Sequence, residues 1–188
     1  APVAASLSHV LGILERMDEA DRQPHLPPLF SSQEEREDFR NRHDRECLER
    51  APLEGYNGDA WLGIDSGSTT IKTALIDSNN RLLYSSYGPN QGEPLGAAVA
   101  VLSEIYEKAD PGMVIRGAAV TGYGSGLLAA GLHADVDEVE TVAHFTGAKF
   151  FLPKVSYIID IGGQDIKCMR IRSGVVDRIQ LNEACSAG

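Results

Sequence analysis

The sequence predicts an α/β protein in which two lobes face each other across a phosphate-binding cleft. Residues 62–73 read LGIDSGSTTIKT, an apolar strand ending at Asp65, a tight turn of small and hydroxyl residues, and a second apolar strand. Residues 157–165 read YIIDIGGQD, again an apolar strand that ends in an aspartate and a glycine pair. Because mixed helix and strand patterns separate these segments, each lobe is expected to contribute one glycine-rich turn and one carboxylate.

Length and composition limit the class of protein. The 188 residues suffice for one domain, or for one and part of another, and 43% apolar residues allow a buried core. A net charge of −10 disfavours nucleic acid or an anionic membrane as a partner. We find no signal peptide and no apolar run near the roughly 18 residues of a membrane span. The three scattered cysteines do not suggest a disulfide framework, so a cytoplasmic protein is expected.

Residues 1–58 are predicted to form a helical N-terminal segment and linker. Apolar residues recur with helical spacing over residues 3–17, which indicates a helix with one apolar stripe. Three prolines between residues 24 and 28 then favour a stiff connector.

A second helix is predicted in this segment. Ser31 or Ser32 is expected to cap a highly charged helix that continues to about Arg50. His43 and Cys47 are four positions apart, but without further ligands a solvated linker helix is favoured over a metal pair.

Residues 59–152 are predicted to form the first lobe. A third strand at residues 81–87 would complete an antiparallel meander with the two strands of the first turn. Pro94 fits the first turn of a helix that continues to Ala109. The buried face of this helix is expected to contain Leu95, Val99, Leu102, Ile105 and Tyr106.

A strand and two helices are predicted to follow in this lobe. The strand at residues 114–120 leads into the glycine-rich turn 121–126, which is either a ligand-binding turn or a plain connection. A short helix is expected at residues 127–131 and a longer one at residues 138–150. On the longer helix, His144 is interpreted as a hydrogen-bonded structural residue. Its inward-facing residues are expected to be Val139, Val142, Ala143 and Phe150.

Residues 153–188 are predicted to begin a second lobe. The YIIDIGGQD strand would open a second sheet, and strands at residues 167–172 and 175–181 flank a Ser173-Gly174 hairpin turn. Cys168 lies within a strand and is interpreted as a core residue.

The residues of the first turn suit phosphate. Gly67 can adopt a positive φ and lets the backbone approach a ligand closely. Successive N–H groups in such a turn bind anions, and Ser68, Thr69 and Thr70 add hydroxyl donors. Asp65 would repel phosphate directly, so a hydrated Mg²⁺ is expected between them. On this motif alone, an ordinary β-hairpin with a polar turn remains the alternative.

Five motifs in order resemble one family. LGIDSGSTTIKT, VTGYG, ETVAHFTGAKFF, IIDIGGQDIK and NEACSAG, within residues 61–188, are similar to activator ATPases of 2-hydroxyacyl-CoA dehydratases. These CoA-substrate-specific enzyme activases are related to the ATPase subunits of benzoyl-CoA reductase. The resemblance implies the ribonuclease-H-like fold of actin, heat-shock chaperones and the acetate and sugar kinases. The preceding segment, with LPPLF and EEREDFRNRH, resembles the linker between two activase modules of the large multidomain members, so the chain is expected to be a fragment of such a member. Because it stops at Gly188, directly after NEACSAG, its second lobe is expected to be truncated.

The resemblance also implies an activity and its cofactors. ATP and Mg²⁺ would bind between the lobes, and a [4Fe–4S] cluster would be held across a dimer by two cysteines from each subunit. ATP hydrolysis would let the cluster pass a low-potential electron to a CoA-thioester dehydratase or reductase component. The implied partners are an electron donor such as ferredoxin or flavodoxin and a second subunit or activase module, with no nucleic acid and no membrane.

Family motifs imply the site residues. Asp65 and Asp160 would stand in the Mg²⁺ shell through water, and Gln164 or Asp165 would orient the attacking water. The phosphate-binding residues would be Gly67, Ser68, Thr69 and Thr70 in the first lobe and Gly162 and Gly163 in the second. Cys185 matches the first cluster cysteine, and the second is expected beyond Gly188.

Three functional hypotheses remain open at this point. The first is the ATP-driven activator, and the second is a small-molecule kinase of the same superfamily. The third is a non-catalytic regulatory module within a large activator. The residues alone favour a buried apolar position for Cys185 over a thiolate at a helix N-terminus, and the resemblance reverses this preference. Neither cluster assembly nor tight nucleotide binding is expected of these 188 residues by themselves.

Overall fold

The structure, a computed structural model, divides the chain into two units, Ala1–Cys47 and Leu48–Gly188. The first unit contains two helices, and the second contains three helices and eight strands in the described part of the chain. None of the helices in the described ranges is long and apolar enough to cross a membrane. The structure describes residues 7–20, 27–45, 47–162 and 165–182.

The first helix of the N-terminal unit is α1 (Leu7–Ala20). This helix confirms the prediction from the helical spacing over residues 3–17. Residues 1–6 lie outside the described part of the chain. Residues 21–26, which include the first proline of the predicted connector, also lie outside it. Several apolar side chains of α1 are exposed, namely Leu7, Val10, Leu11 and Ile13.

The second helix is α2 (Gln33–Asp44). The Ser32 hydroxyl accepts a hydrogen bond from the Glu35 amide at 3.1 Å, which confirms Ser32 as the N-cap. The prediction that this helix continues to about Arg50 is wrong. Because α2 ends before Cys47, His43 and Cys47 do not share a helical face.

Residues 49–51 are extended and belong to the second unit. The Leu82 amide donates to the Glu49 carbonyl at 2.8 Å, and the Ala51 amide donates to the Leu82 carbonyl at 3.2 Å. This pairing uses backbone groups that a helix would need for its own hydrogen bonds, which explains the early end of α2.

A five-stranded mixed sheet forms the centre of the second unit. The strands are β1 (Asp59–Ser66), β2 (Thr70–Asp77), β3 (Leu82–Pro89), β4 (Val114–Thr121) and β5 (Val136–Glu138). They lie in the order β3-β2-β1-β4-β5. β1, β2 and β3 pair antiparallel, which confirms the predicted meander, whereas β4 and β5 run parallel to β1. The short β5 was not predicted, because its last residue was assigned to the following helix.

The core lies on one face of this sheet. Leu62 and Ile64 of β1 and Leu75 of β2 are buried there, because alternate residues of a strand point to the same face. The helices α3 (Pro94–Lys108) and α4 (Ser125–Leu132) complete the core. Both helices were predicted, and α3 begins at the proline that suits a first helical turn.

The buried face of α3 differs in part from the prediction. Ile105 and Ala98 are fully buried, and Leu95 and Leu102 pack against the core. The expected burial of Val99 and Tyr106 is wrong, since they are 48% and 60% exposed. The small side chain of Ala98 lets α3 lie close to the sheet, so the buried face of α3 is centred on Ala98.

In the turn after β2, a buried carboxylate forms an ion pair with a partly exposed arginine. The Asp77 carboxylate is 1% exposed and accepts from the Arg81 Nε at 2.7 Å and from the Asn79 and Arg81 amides. Burial alone would raise the pKa of Asp77, but these hydrogen bonds and the charge of Arg81 hold it below its ordinary value. Asp77 is therefore charged and stabilising at neutral pH.

Replacement of Asp77 by asparagine is expected to lower the free energy of unfolding by about 2 kcal/mol at pH 7. Because the folded pKa is depressed, this stabilisation is present above about pH 4 and is lost as the pH falls through the folded pKa. Urea denaturation at pH 7 and pH 3 would measure it, with Asp110→Asn as an exposed control. If the difference in free energy of unfolding between wild type and Asp77→Asn were the same at both pH values, the lowered pKa of Asp77 would be contradicted.

A second sheet follows α5 (Glu140–Phe151) and has the order β6-β7-β8, with antiparallel pairing throughout. Its strands are β6 (Tyr157–Ile161), β7 (Ile166–Arg172) and β8 (Val175–Asn182). Ser173 and Gly174 have φ values of 51° and 76°, which confirms the predicted two-residue hairpin turn. Cys168 is half-buried in β7.

The predicted inward face of α5 is not buried in the structure. Val139 and Phe150 are 64% and 57% exposed, and no residue of α5 is buried. The prediction assumed that the apolar positions of α5 face a core. Its first turns instead place polar side chains against the second sheet.

Candidate functional site

The first hairpin turn joins β1 and β2. The Gly67 amide donates to the Thr70 carbonyl at 2.9 Å, which closes the turn around Ser68 and Thr69. Asn90, which is 4% exposed, donates from its side chain to the Gly67 carbonyl at 2.9 Å and from its amide to the Thr69 carbonyl at 3.0 Å. Two carbonyl oxygens of the turn therefore accept hydrogen bonds from Asn90. Their partial negative charge is offset, which reduces their repulsion of an anion at the turn. Sequence reasoning missed Asn90.

A lysine stands beside the carboxylate of the first hairpin. Asp65 and Lys72 are cross-strand partners, and the Lys72 ammonium donates to Asp65 Oδ2 at 2.8 Å. The side chains are 23% and 42% exposed, so both remain accessible from the cleft. The lysine offsets the charge that would repel phosphate at this turn. Lys72 was not singled out from the sequence.

The glycine-rich turn after β4 packs directly on the first hairpin. Gly122 has a φ of 90°, and a Cβ built there would lie 2.5 Å from the Ser66 carbonyl oxygen and 2.7 Å from Asp65 Oδ1. The Gly124 amide donates to the same Ser66 carbonyl at 3.0 Å. Only glycine fits Gly122, so this turn supports the position of Asp65.

The second hairpin turn repeats the first. The Gly162 amide donates to the Asp165 carbonyl at 3.0 Å, and Asp160 pairs across the strands with Lys167. Aspartate, glycine and lysine thus occupy equivalent positions in the two hairpins. Gly163 and Gln164 lie outside the described residues.

Lys167 is engaged differently from its counterpart Lys72. Its ammonium lies 3.1 Å from Glu140 Oε2 and 3.5 Å from Asp165 Oδ2. Partial burial alone would lower the pKa of Lys167. The hydrogen bond and charge of Glu140, together with the Asp165 charge, raise that pKa above its ordinary value, so Lys167 remains cationic at neutral pH.

Asp160 is held by a histidine rather than by a lysine. The Nδ1 of His144, on α5, lies 2.8 Å from Asp160 Oδ2. The interpretation of His144 as a hydrogen-bonded residue is therefore correct, but its partner is one of the two predicted cleft aspartates. Glu140 lies one helical turn before His144, on the same side of α5.

A cavity of about 570 Å³ lies between the two hairpins. It is rich in oxygen ligands and carries two lysines, Lys72 and Lys167. The carboxylates come from both hairpins, from β5 and from the first residue of α5. The lining residues are Asp65, Gly67, Ser68, Thr69, Thr70, Lys72, Gly122, Tyr123, Ser125, Asp137, Glu138, Val139, Glu140, Gly162, Asp165 and Lys167.

Most of the predicted site residues that the structure describes meet in this cavity. The first-hairpin residues line it together with Gly162 and Asp165. Asp160 is not among the described residues that line it, although its cross-strand partner Lys167 is. Cys185 lies outside the described residues, as do Gly163 and Gln164. Glu138 and Glu140 were missed, because an acidic helix start is an ordinary surface feature in a sequence.

The chemistry of this cavity fits a phosphate chain with Mg²⁺. Mg²⁺ prefers oxygen ligands and keeps several waters, which the grouped carboxylates can hold. Turn amides, hydroxyls and two ammonium groups are the donors that phosphate oxygens need.

Comparison with known proteins places the chain in a family. Residues 62–188 match the model of the BadF/BadG/BcrA/BcrD ATPase family. The chain is 34% identical over 131 residues to the (R)-2-hydroxyglutaryl-CoA dehydratase activating ATPase of Acidaminococcus fermentans, covering 68% of this chain and 48% of the relative. It is 31% identical over 129 residues to the 2-hydroxyisocaproyl-CoA dehydratase activator of Clostridioides difficile, covering 68% and 47%. The chain spans about half the length of the curated relatives it matches.

Solved structures agree with this assignment. Component A of the A. fermentans (R)-2-hydroxyglutaryl-CoA dehydratase matches with a TM-score of 0.57 and 32% identity, over 68% of this chain and 48% of its own. The C. difficile activator of 2-hydroxyisocaproyl-CoA dehydratase, solved with bound ADPNP, matches with a TM-score of 0.58 and 29% identity, over 68% and 47%. The expected ribonuclease-H-like, actin-type ATPase fold is confirmed.

Proposed function

Because this chain belongs to the BadF/BadG/BcrA/BcrD ATPase family, we propose that it forms the phosphate-binding part of an ATP-hydrolysing activator. The activated enzyme would be a 2-hydroxyacyl-CoA dehydratase or a related CoA-substrate enzyme. The observation that carries this proposal is the pairing of two equivalent Asp–Gly–Lys hairpins at one oxygen-rich cavity. Relatives that are named as dehydratase activators support the choice of activity.

In the proposed mechanism, the first hairpin holds the phosphate chain. The amides between Gly67 and Thr70 and the hydroxyls of Ser68 and Thr69 donate to phosphate oxygens, while Lys72 adds a positive charge. Attack on a γ-phosphate depends mainly on positioning and charge neutralisation, which these groups supply without covalent chemistry. Mg²⁺, when bound, neutralises charge on the phosphates, and Asp65 and Asp160 are proposed to hold its waters.

The second hairpin and α5 are proposed to act on the attacking water. Gly162 and Gly163 approach the phosphates from the second lobe, and Gln164 or Asp165 orients the water. We add Glu140 to these candidates, since its carboxylate lines the cavity and contacts Lys167 at 3.1 Å. Lys167, cationic at neutral pH, keeps this carboxylate in place and adds a second positive charge near the phosphates.

We further propose that the activator transfers an electron from an iron–sulfur cluster to the activated enzyme. Cys185 would supply one thiolate to a [4Fe–4S] cluster shared across a homodimer or a pair of activase modules. Such a cluster, when bound, supplies one low-potential electron. The proposed electron donor is a ferredoxin or flavodoxin, and the proposed acceptor is the dehydratase or reductase component. In this view residues 1–58 form a helical linker segment, residues 59–152 the first ATPase lobe and residues 153–188 the start of the second.

Anaerobic iron–sulfur reconstitution of the full-length protein, followed by absorption and EPR spectroscopy with and without ATP, tests this proposal. We expect a cluster signal that changes with nucleotide and is lost in Cys185→Ala, because a missing thiolate removes a ligand that the shared site needs. Cys47→Ala is the matched control, since Cys47 is exposed in the N-terminal unit, and it should retain the signal. ATP hydrolysis without any cluster would overturn the activator proposal in favour of a kinase or a regulatory module.

A further inference from the structure

We propose that His144 is a positioning residue, which holds the Asp160 carboxylate in the orientation that the ATPase cleft requires. This inference rests on the proposed function, because Asp160 is useful only if the cleft binds Mg²⁺ and nucleotide. His144 does not touch the phosphates in this proposal. It acts through Asp160, from the helix that connects the first sheet to the second.

The geometry of the contact defines the role of each atom. The distance of 2.8 Å between His144 Nδ1 and Asp160 Oδ2 is that of a good hydrogen bond. A carboxylate has no proton to give, so Nδ1 carries the proton and donates. The side chains are 29% and 19% exposed, so both are largely shielded from water at the junction of α5 and β6.

Comparison of the two hairpins explains why Asp160 needs this donor. In the first hairpin, the cross-strand lysine, Lys72, donates directly to Asp65. In the second hairpin, the equivalent lysine, Lys167, is 3.1 Å from Glu140. The lysine that is equivalent to the donor of Asp65 therefore pairs with a different carboxylate in the second hairpin, and not with Asp160. His144 takes its place at Asp160.

The same helix supplies both contacts. Glu140 and His144 are four residues apart on α5, which places them on one side of the helix, one turn from each other. Glu140 reaches Lys167 on β7, and His144 reaches Asp160 on β6. α5 begins directly after β5, the last strand of the five-stranded sheet. Two side chains of one helix thus fix the orientation of the second hairpin relative to the sheet that carries the first.

Steady-state ATPase assays and nucleotide binding in the full-length protein test this role. His144→Ala is expected to lower kcat about tenfold, as for other residues that orient a metal-shell carboxylate, while KM for ATP changes little. The Mg²⁺ concentration that half-saturates binding of a fluorescent ATP analogue should rise by a similar factor. His144→Asn should recover most of both, because the asparagine Nδ2 occupies nearly the position of the histidine Nδ1 and donates in the same way.

Thr146→Ala is the matched control for His144→Ala. Thr146→Ala lies on the same helix and removes only a hydrogen bond from the Thr146 hydroxyl to the Val142 carbonyl, so it should leave both readouts unchanged. Equal losses in His144→Ala and His144→Asn, or wild-type values in His144→Ala, would overturn the positioning role while the proposed function stands. If His144→Ala does not fold, His144→Phe replaces it, because phenylalanine keeps a ring of similar size and has no donor for Asp160, and it should show the loss that His144→Asn does not. A wild-type protein that binds no Mg²⁺-nucleotide would overturn the proposed function and this role together.

Discussion

Replacement of Asp65 by alanine is expected to reduce Mg²⁺-dependent ATP turnover in the full-length protein by about 10²–10³-fold, the loss seen when one electrostatic group is removed from an active site. Asp65 ends β1 at the cavity, where Lys72 holds its carboxylate at 2.8 Å. In the proposed mechanism, its removal takes away a carboxylate that would hold the waters of Mg²⁺, and it leaves Lys72 free to bind phosphate in a different place. Asp160→Ala is expected to cause a loss of the same order.

Asp59→Ala is the matched control for Asp65→Ala. Asp59 lies at the opposite end of β1 and forms an exposed ion pair with Arg116, which contributes at most about 1 kcal/mol. Turnover should therefore stay near the wild-type value in this variant. Phosphate release at saturating ATP and Mg²⁺ is the measurement, and unchanged turnover in both Asp65→Ala and Asp160→Ala would remove the assignment of the cleft.

The sequence predicts the sheets of this protein well, because their strands alternate between buried and exposed residues and end at clear turns. In β1, for example, Leu62 and Ile64 are buried, whereas the alternating residues Trp61 and Gly63 are more exposed. The two Asp–Gly turns were also found, since glycine next to hydroxyl residues after an apolar strand is a strong local signal. These two turns were enough to predict the position of the cleft.

Residues that matter through pairing were harder to find. Lys72 stands next to Asp65 because the two-residue turn fixes the antiparallel register, and the same holds for Lys167 and Asp160. Counting outward from each glycine turn would have paired each aspartate with its lysine. The sequence contains this information, but using it requires the pairing register of the two strands as well as their positions in the sequence.

Other features depend on contacts that no local pattern encodes. The burial of α5 was overestimated because the apolar spacing of a helix does not show what covers it. His144 meets Asp160 only because α5 folds back beside β6, across the loop that separates them. Asn90 secures the first turn from beyond the end of β3, and its sequence neighbourhood predicts only a turn.

Replacement of Gly122 by alanine is expected to be the most destabilising single methyl addition in the cleft. The residue has a φ of 90°, which costs a residue with a side chain about 1–3 kcal/mol, and the new Cβ would lie 2.5 Å from the Ser66 carbonyl oxygen. The Ser66 backbone cannot move without shifting β1, and the Asp65 carboxylate, whose Oδ1 would lie 2.7 Å from the new Cβ, would have to turn away from its position. A loss of about 3 kcal/mol and a decrease in Tm of roughly 6–12 °C follow. Nucleotide affinity should fall as well, because Asp65 is displaced.

Gly126→Ala separates this contact from a general effect of losing a glycine. Gly126 lies in α4, only four residues after Gly122, and a Cβ built there meets no atom within 4 Å. Alanine also suits a helix better than glycine, so this variant should be neutral or more stable by about 0.5–1 kcal/mol. Thermal melts of the two variants compare them directly. If Gly122→Ala melted with Gly126→Ala at the wild-type temperature, the turn after β4 would not be packed on Asp65, and the support it gives to the cleft would have to come from elsewhere.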